Sequence, residues 1–285
     1  MAPPTPDVCP GCGDASPRRF QYPEGCIWIC GRCRLQWGRV DKSASGGFIP
    51  TTNEHYLAPA SFGDPYNYPP YVDFFRELAA QRGDRPQRIL DIGCGAGGFV
   101  MHCLQRGHDA WGVEANANLA RFMTPEALRR VHFGLAEEFP CQGEPFDVIT
   151  FWDSFEHIEQ AFELLDRLRA LLKPGGLVYI RVNNTWDVFN LMTLAALKLS
   201  PALGRRLLRG CFNFPDHCWN FSRPAMRAML EGRGWRMLKA RTGETPAARL
   251  TSNPLFRTAI HMAYLMNRLL RGGKIANYYV ESARP

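Results

Sequence analysis

Four cysteines near the start of the chain are spaced as metal ligands. Cys9 and Cys12 form one C-x2-C pair, Cys30 and Cys33 form a second, and 17 residues separate the pairs. This spacing is typical of a structural zinc site, and four unmetallated thiols are the alternative. Four thiolates leave no open coordination position for water, so the expected zinc is not catalytic. The pattern predicts a zinc-ribbon-like module over residues 1–45, too short to fold without its metal.

A glycine-rich turn is the second candidate site. The sequence from Arg88 to Val100 reads RILDIGCGAGGFV, which predicts a buried strand, a turn and the N-terminus of a helix. Gly93, Gly95 and Gly98 also satisfy the dinucleotide pattern G-x-G-x-x-G. Asp91 argues against a dinucleotide ligand, because its carboxylate would repel the pyrophosphate. The same carboxylate would attract a cationic ligand.

A second acid follows the next predicted strand. Residues 109–113 read DAWGV, and Glu114 comes directly after them. This is the end of a strand at which ligands bind in open α/β sheets. A carboxylate there can accept hydrogen bonds from both hydroxyls of a ribose, and a solvated acid in a turn is the plainer interpretation. Glu114 therefore extends the candidate ligand site beyond the glycine-rich turn.

Two histidines and an acid are the candidate catalytic side chains. Asp153 and His157 follow a predicted strand over residues 146–151, and His217 follows a long segment after the next strand. All three are expected at the carboxyl ends of parallel strands. A neutral imidazole there can take a proton from a hydroxyl near pH 7. A structural hydrogen bond to the backbone is the alternative role for each histidine.

The order of these motifs resembles one enzyme family. D-x-G-x-G-x-G at 91–97, FDVI at 146–149, EHI at 156–158 and LLKPGGLVYI at 171–180 are similar to class I S-adenosylmethionine (SAM) dependent methyltransferases with a type 11/12-like core. The resemblance implies an α/β fold with a seven-stranded, mostly parallel Rossmann-like sheet. To this sheet the small zinc-binding module and a helical insertion would be added. It also implies SAM as the cofactor and in-line methyl transfer as the reaction.

The resemblance also indicates which residues would bind SAM. They are Asp91, Gly93, Cys94, Gly95, Glu114, Ala115, Ala136, Glu137, Trp152 and Asp153. Leu135 stands where the family often has an acid, so Glu137 and backbone groups around Ala136 are expected to recognise adenine. Asp153, Glu156 and His157 resemble an acidic-x-x-Glu-His element that is associated with a divalent metal in ubiquinone-pathway O-methyltransferases. Relatives without metal share the Glu-His pair, so metal binding there stays open.

The rest of the chain is divided around this core. Residues 46–285 are expected to form the methyltransferase domain, with a linker at 42–47 and an aromatic, proline-interrupted segment at 55–71. Residues 185–222 are expected to form a helical insertion on the substrate side. Aromatic side chains of this insertion and of the strand ends favour a small, partly apolar acceptor. They are Trp152, Phe155, Trp186, Phe189, Phe212, Phe214 and Trp219.

Charge and composition restrict the location and the partner. The net charge of +7 and pI near 9.0 permit an anionic small molecule or RNA as substrate. Arg205, Arg206 and Arg209 are clustered and would suit one anionic group, such as a phosphate on a carrier. No stretch has the apolar length of a transmembrane segment, and residues 1–10 lack that of a signal peptide. A cytoplasmic protein with reduced thiols is therefore expected.

The sequence thus predicts a SAM-dependent methyltransferase with a structural Zn²⁺. Its expected acceptor is a hydroxyl group on a small molecule, a natural product or a carrier-linked sugar. Two other functions stay open. One is a zinc-ribbon methyltransferase of rRNA or tRNA, in which aromatic residues of the module would stack on bases. The other is a non-catalytic SAM-binding scaffold. The oligomeric state is left open.

Overall fold

The computed structural model describes residues 8–40, 69–140, 143–245 and 253–283. The predicted linker at 42–47 and residues 55–68 of the predicted aromatic segment lie outside these ranges. In chain order the strands are β1 (Arg18–Tyr22), β2 (Gly25–Ile29), β3 (Gln36–Val40), β4 (Arg88–Ile92), β5 (Asp109–Glu114), β6 (Val131–Phe133), β7 (Phe146–Trp152), β8 (Leu172–Asn183), β9 (Trp219–Asn220), β10 (Trp235–Gly243) and β11 (Ile275–Ser282).

The strands are connected by helices and short 3₁₀ turns. The helices are α1 (Pro69–Arg82), α2 (Gly98–Gln105), α3 (Pro125–Leu128), α4 (Ala161–Leu168), α5 (Val188–Leu199), α6 (Pro201–Phe212), α7 (Arg223–Glu231) and α8 (Pro254–Leu269). The 3₁₀ turns span Ala117–Phe122, Ala136–Glu138, Phe155–His157 and Arg169–Leu171. Within the described ranges, none of the helices combines the length and the apolar character needed to span a membrane.

The larger sheet has seven strands in the order β10-β11-β8-β7-β4-β5-β6. Strands β4 to β8 pair in parallel, and β11 is antiparallel to both β8 and β10. Its central strands are mostly apolar because both faces are covered, as in β7, where residues 146–151 are all buried. The predicted seven-stranded, mostly parallel Rossmann-like sheet is therefore confirmed.

The smaller sheet is antiparallel and has the order β1-β2-β3-β9. Its first two strands form a hairpin between the two cysteine pairs. The fourth strand, β9, comes from the predicted insertion and pairs with β3, with Gln36 opposite Asn220 and Trp37 opposite Trp219. The smaller sheet thus contains residues from both of the predicted domains.

Helices α5 and α6 of the insertion pack against this smaller sheet. Phe20 and Tyr22 of β1 are buried in one cluster with Leu208 and Phe212 of α6. Gly38 in β3 makes room for the contact, because a Cβ at this position would lie 2.8 Å from the Phe212 ring. The module and the insertion therefore bury each other's apolar side chains.

Candidate active site and metal centre

The predicted glycine-rich turn joins β4 to α2. Gly93 has a φ of 72°, a left-handed conformation that glycine adopts at little cost. A Cβ at Gly93 would also lie 2.6 Å from the Cβ of Ser154, beyond the end of β7. The Ser154 hydroxyl donates to the Ile92 carbonyl over 2.6 Å. Backbone conformation and close approach thus both require glycine at position 93.

Glu114 lies at the end of β5 and bonds to this turn. Its Oε2 accepts from the Gly95 N–H over 2.9 Å, and its Oε1 accepts from the Asn116 N–H over 2.8 Å. Burial raises the pKa of Glu114, and the backbone N–H groups oppose that rise. Each carboxylate oxygen retains a second lone pair, so both can still accept hydrogen bonds from the hydroxyls of a ribose.

Asp91 is buried at the end of β4. Its Oδ1 accepts a 2.7 Å hydrogen bond from the Thr150 hydroxyl. Burial raises the pKa of Asp91 to about 8, and the nearby charge of Glu114 adds to the rise. A cation bound at the turn would favour the ionised form of Asp91 and would attract that charge strongly in surroundings of low dielectric constant.

The other predicted SAM-binding residues lie at the same edge of the sheet. This edge is formed by the carboxyl ends of four adjacent parallel strands, β7, β4, β5 and β6. Such an edge is where open α/β sheets bind ligands. The remaining predicted positions lie at or just after these strand ends, namely Cys94, Ala115, Ala136, Glu137, Trp152 and Asp153. The sheet order therefore brings the predicted set to one side of the molecule.

Asp153 is held apart from the two histidines. It precedes the 3₁₀ turn Phe155–His157, has a φ of 53°, and forms an ion pair with buried Arg181. Its side chain is 43% exposed, whereas Glu156 is 1% exposed. The 3₁₀ turn begins only after Asp153, which therefore lies outside it. Glu156 is the acid that lies with the histidines.

His157 and His217 come together from distant parts of the chain. Their ring centroids are 4.6 Å apart and their planes meet at 87°. His157 Nδ1 lies 2.9 Å from the Asp216 carbonyl, which can only accept, so Nδ1 carries the proton. The His157 backbone N–H donates to the Ser154 carbonyl over 3.1 Å. Since Ser154 also contacts Gly93, one 3₁₀ turn separates the histidines from the glycine-rich turn.

Burial keeps both histidines neutral near pH 7. It lowers the pKa of His157, and the Asp216 backbone opposes this in part. Burial, together with repulsion from His157, lowers the pKa of His217 to about 3. Neutral imidazoles can accept a proton or bind a metal ion, and they do not repel a cation bound nearby.

Glu156, His157 and His217 form a possible metal-ligand set. Each offers a ligand atom, and these atoms all lie within 4.8 Å of one another. Within the described ranges Glu156 Oε2 is buried and has no hydrogen-bond partner. Burial raises the pKa of Glu156 to about 8. Two imidazoles and one carboxylate could hold a divalent transition metal. This set differs from the predicted one, because His217 takes the place of Asp153.

The four-cysteine cluster fits a zinc ion. The sulfur atoms of Cys9, Cys12, Cys30 and Cys33 all lie within 4.8 Å of one another. Cys9 Sγ is 3.5 Å from Cys33 Sγ, and Cys12 Sγ is 3.6 Å from Cys30 Sγ. A tetrahedral site with Zn–S bonds of about 2.3 Å requires sulfur separations of about 3.8 Å. The cluster needs only a small expansion to reach that geometry.

Two tight turns present these thiols. The residue after each cysteine pair has a left-handed conformation, with φ of 72° at Gly13 and 61° at Arg34. The Gly13 N–H donates to the Cys9 carbonyl, and the Arg34 N–H donates to the Cys30 carbonyl. The glycine after the first pair is thus matched by an arginine after the second, although arginine adopts this conformation less readily.

Two arginines of the expected anion site contact the four-cysteine module. Arg205 donates to the Gln21 carbonyl, and Arg209 forms a 2.5 Å ion pair with Glu24. Phe212 and Phe214, which we expected beside the acceptor, are buried in the same contact. These two side chains join the insertion to the module. Arg205, Arg206 and Arg209 all remain exposed, so the expected anion site stays a prediction.

A group of buried polar side chains near His217 was not predicted. Gln36, Asp187, Asn190 and Asn220 are each at most 5% exposed. They lie in three separate segments, so no short motif marks them. Asn190 was the one visible signal, since it interrupts the apolar run VFNLMTLAAL at 188–197. A buried amide in such a run requires a hydrogen-bond partner.

Comparison with known proteins agrees with this architecture. A family model for a methyltransferase domain matches residues 66–240. The ubiquinone biosynthesis O-methyltransferase of Roseobacter denitrificans is 34% identical over 110 residues, which cover 37% of this chain and 44% of that protein. The protein of the same name from Chelativorans sp. is 30% identical over 129 residues, covering 43% and 51%. The chain spans about half the length of the curated relatives it matches.

Solved structures share the fold. A chain in the complex between the Haloferax volcanii Trm112 methyltransferase activator and a methyltransferase matches with a TM-score of 0.55 and 14% identity, over 83% of this chain and 99% of that one. Plantazolicin methyltransferase BpumL, solved with SAH, matches with a TM-score of 0.52 and 14% identity, over 82% and 91%. At these identities the likeness concerns the fold alone. The chain belongs to the methyltransferase-domain family, and residues 66–240 form its SAM-dependent methyltransferase domain.

Proposed function

We propose that this chain methylates a hydroxyl oxygen of a small molecule, a natural product or a carrier-linked sugar. When bound, SAM supplies an electrophilic methyl group, whose bond to sulfur breaks as its bond to the acceptor oxygen forms. His157 or His217 receives the hydroxyl proton on its ring nitrogen. The protein's contribution is to align the acceptor in line with the sulfur–carbon bond and to accept its proton.

The pair of neutral histidines beside the glycine-rich turn carries this proposal. A protonated imidazole could not accept the proton, and it would repel the sulfonium of SAM. The low pKa values of His157 and His217 are compatible with the role. As the new carbon–oxygen bond forms, the acceptor oxygen becomes strongly acidic, so that a weakly basic nitrogen is sufficient.

For the donor, we infer that the ten sequence-predicted residues bind SAM. Glu114 would accept from the ribose hydroxyls, Asp91 would balance the positive charge, and the backbone at Gly93 and Gly95 would line the turn. Ala136 and Glu137 would meet the adenine. The position of these residues at four neighbouring strand ends supports this assignment.

A small acceptor is favoured over RNA. Base stacking would need exposed rings on the module, but Phe20, Tyr22 and Trp28 are only 7%, 9% and 5% exposed. The relatives named ubiquinone biosynthesis O-methyltransferase support oxygen as the methylated atom. A non-catalytic scaffold is disfavoured, because the glycine-rich turn and both histidines are present together.

We also propose that a structural Zn²⁺ binds Cys9, Cys12, Cys30 and Cys33. The module of residues 1–45 would then be a metal-stabilised unit attached to the methyltransferase domain at 46–285 through the 185–222 insertion. Pairing of β3 with β9 supports this attachment. So does the hydrogen bond from the Ser222 hydroxyl to the Cys33 carbonyl.

A divalent cation on Glu156, His157 and His217 is the rival use of the histidines. Such a cation would occupy nitrogen lone pairs and would itself polarise the acceptor hydroxyl. Metal analysis separates the two roles. One zinc per chain supports the histidine base, whereas a second metal that is lost in Glu156→Gln supports the cation.

The experiment that tests the function is a methyl-transfer screen. Purified protein is incubated with methyl-labelled SAM and pooled hydroxylated metabolites, and in parallel with rRNA and tRNA. We expect labelled methyl ethers in the metabolite pool. Methylation of RNA, with an affinity that falls steeply as salt rises, would overturn the proposal.

A further inference from the structure

A line of buried polar side chains runs from His217 through the zinc-binding module. His217 Nδ1 lies 3.4 Å from Asn220 Oδ1, and Asn220 Nδ2 lies 3.5 Å from Gln36 Oε1. Gln36 Nε2 donates to Asn190 Oδ1 over 2.9 Å, and Asn190 Nδ2 donates to Asp187 Oδ2 over 2.5 Å. All five side chains are at most 6% exposed. Since Gln36 lies in β3, the module contributes the central member.

The hydrogen bonds along this line run in a single donor-to-acceptor direction. Asn220 Nδ2 lies 3.4 Å from the Cys211 carbonyl, an atom that can only accept, so the Asn220 amide cannot be reversed. Gln36 then accepts from Asn220 and donates onward, and the Asp187 carboxylate accepts at the far end. Asn220 Oδ1 therefore faces His217 as an acceptor. The proton of the His217 ring must lie on Nδ1.

The Asn183 amide is the other group at this nitrogen. Its Nδ2 lies 3.3 Å from His217 Nδ1, and two donors cannot share that contact. The oxygen and nitrogen of an amide are distinguished by their hydrogen bonds. A half-turn of the Asn183 amide places its oxygen there, so that both amides accept from Nδ1–H. The Nε2 lone pair of His217 is left for the acceptor.

We propose that Gln36 is a positioning residue for methyl transfer, which holds His217 in its Nδ1–H form through Asn220. The proposal rests on the proposed function, in which His217 meets the acceptor hydroxyl. Gln36 is three residues from Cys33, so the turn that binds zinc also fixes the start of β3. The four-cysteine module thereby becomes part of the acceptor site.

The test is ¹⁵N NMR of the histidine rings in the full chain, with turnover measured alongside. Gln36→Met keeps the length of the side chain and removes both hydrogen bonds. We expect His217 to lose its fixed Nδ1–H form and turnover to fall roughly 10- to 100-fold, with SAM affinity unchanged. Gln21→Met is the matched control, because the Gln21 amide nitrogen donates within the module, to the carbonyls of Tyr22 and Gly25.

A rescue separates positioning from general stabilisation. The carboxylate of Asn220→Asp accepts from Nδ1–H without help from Gln36. The double variant Gln36→Met, Asn220→Asp should therefore regain the Nδ1–H form of His217 and part of the turnover. A purely structural role of Gln36 would not allow this recovery. If Gln36→Met does not fold, Gln36→Glu serves instead, since it keeps an acceptor for Asn220 and must keep the Nδ1–H form.

Other outcomes overturn the role of Gln36 or overturn the proposed function alone. An unchanged Nδ1–H form with full turnover in Gln36→Met, or loss of that form in Gln36→Glu, overturns the role of Gln36. Gln36→Met could change the ring form of His217 while the protein methylates no hydroxyl acceptor. This result rejects the proposed function. In that case the link from Gln36 to His217 stands.

Discussion

The proposed site has a donor side, the glycine-rich turn that would bind SAM, and an acceptor side, the two histidines with Gln36. The two sides differ in which parts of the chain form them. On the proposed donor side, Gly95 and Glu114 lie at the ends of adjacent strands, and the Gly95 N–H donates to the Glu114 carboxylate. On the acceptor side, His157, His217 and Gln36 come from three segments that meet only through tertiary structure. The donor side thus depends on the conformation of one turn, whereas the acceptor side depends on how a second sheet is attached.

This difference predicts that the two sides fail separately. Changes at the glycine-rich turn should alter SAM affinity and leave the acceptor residues in place. Changes at the histidines or in the module should alter turnover and leave SAM affinity intact. Four measurements test whether the two sides fail separately.

The largest effect is expected at the histidines. Alanine at His157 or His217, whichever is the base, should lower turnover by about 10² to 10⁴, because the hydroxyl proton loses its acceptor. SAM affinity, measured by calorimetry, should stay the same. His261→Ala is the control, since His261 is exposed on α8. Normal turnover in both single variants would show that the acceptor needs no side-chain base.

A smaller effect is expected at Glu114. Glu114→Ala should weaken SAM binding by about 1.5 to 3 kcal/mol through the lost ribose hydrogen bonds. Turnover at saturating SAM should change little, since the acceptor side is untouched. Calorimetric titration of SAM measures the loss, and Glu126→Ala, an exposed acid on α3, is the control. Equal affinities in the wild type and Glu114→Ala would remove Glu114 from the site.

Removal of zinc should act on the acceptor side alone. Chelation or Cys33→Ser should abolish hydrogen-exchange protection in β1, β2, β3 and β9, because metal binding provides the folding energy of this sheet. Strands β4 to β8 should remain protected and still bind SAM, and turnover should fall roughly as far as in Gln36→Met. Cys103→Ser, at a buried cysteine in α2, is the control. Reduced protein without bound metal contradicts the prediction.

The smallest effect is a pH dependence of SAM binding. Burial raises the pKa of Asp91 to about 8, so its carboxyl is protonated and uncharged below that pH. Bound SAM, a cation, favours the ionised form. Affinity should therefore fall as pH drops below about 8, by at most tenfold per unit. Calorimetry should show that SAM affinity depends less on pH in Asp91→Asn than in the wild type. Because SAM titrates in the same way with both proteins, the difference between them reports Asp91. Identical profiles would contradict the role of Asp91.

The sequence predicted the seven-stranded sheet because its signals are local. Glycines that permit a left-handed turn and apolar residues of buried strands act over a few residues. The acceptor side depends instead on contacts between distant segments. His157 and His217 were both named, yet the acid beside them is Glu156, because the backbone turns at Asp153 before the 3₁₀ turn begins.

The remaining features could not be predicted from short patterns. The pairing of β3 with β9 joins residues 184 positions apart, and it involves only two residues on each strand. The charges of Arg205 and Arg209 are visible in the sequence, whereas their contacts with Gln21 and Glu24 are visible only in the structure. Gln36 gave no signal, since a buried glutamine can be recognised only by the amides that surround it.

The late arrival of β9 also has a consequence for synthesis. At about 5 to 20 residues per second, a ribosome needs roughly 10 to 40 s to add the 184 residues from Gln36 to Asn220. During that interval the cysteines can already bind zinc and β1, β2 and β3 can pair, but the edge of β3 has no partner strand. Open edges of this kind recruit other chains. The nascent protein is therefore most vulnerable to aggregation in the period between metal binding and the emergence of Asn220.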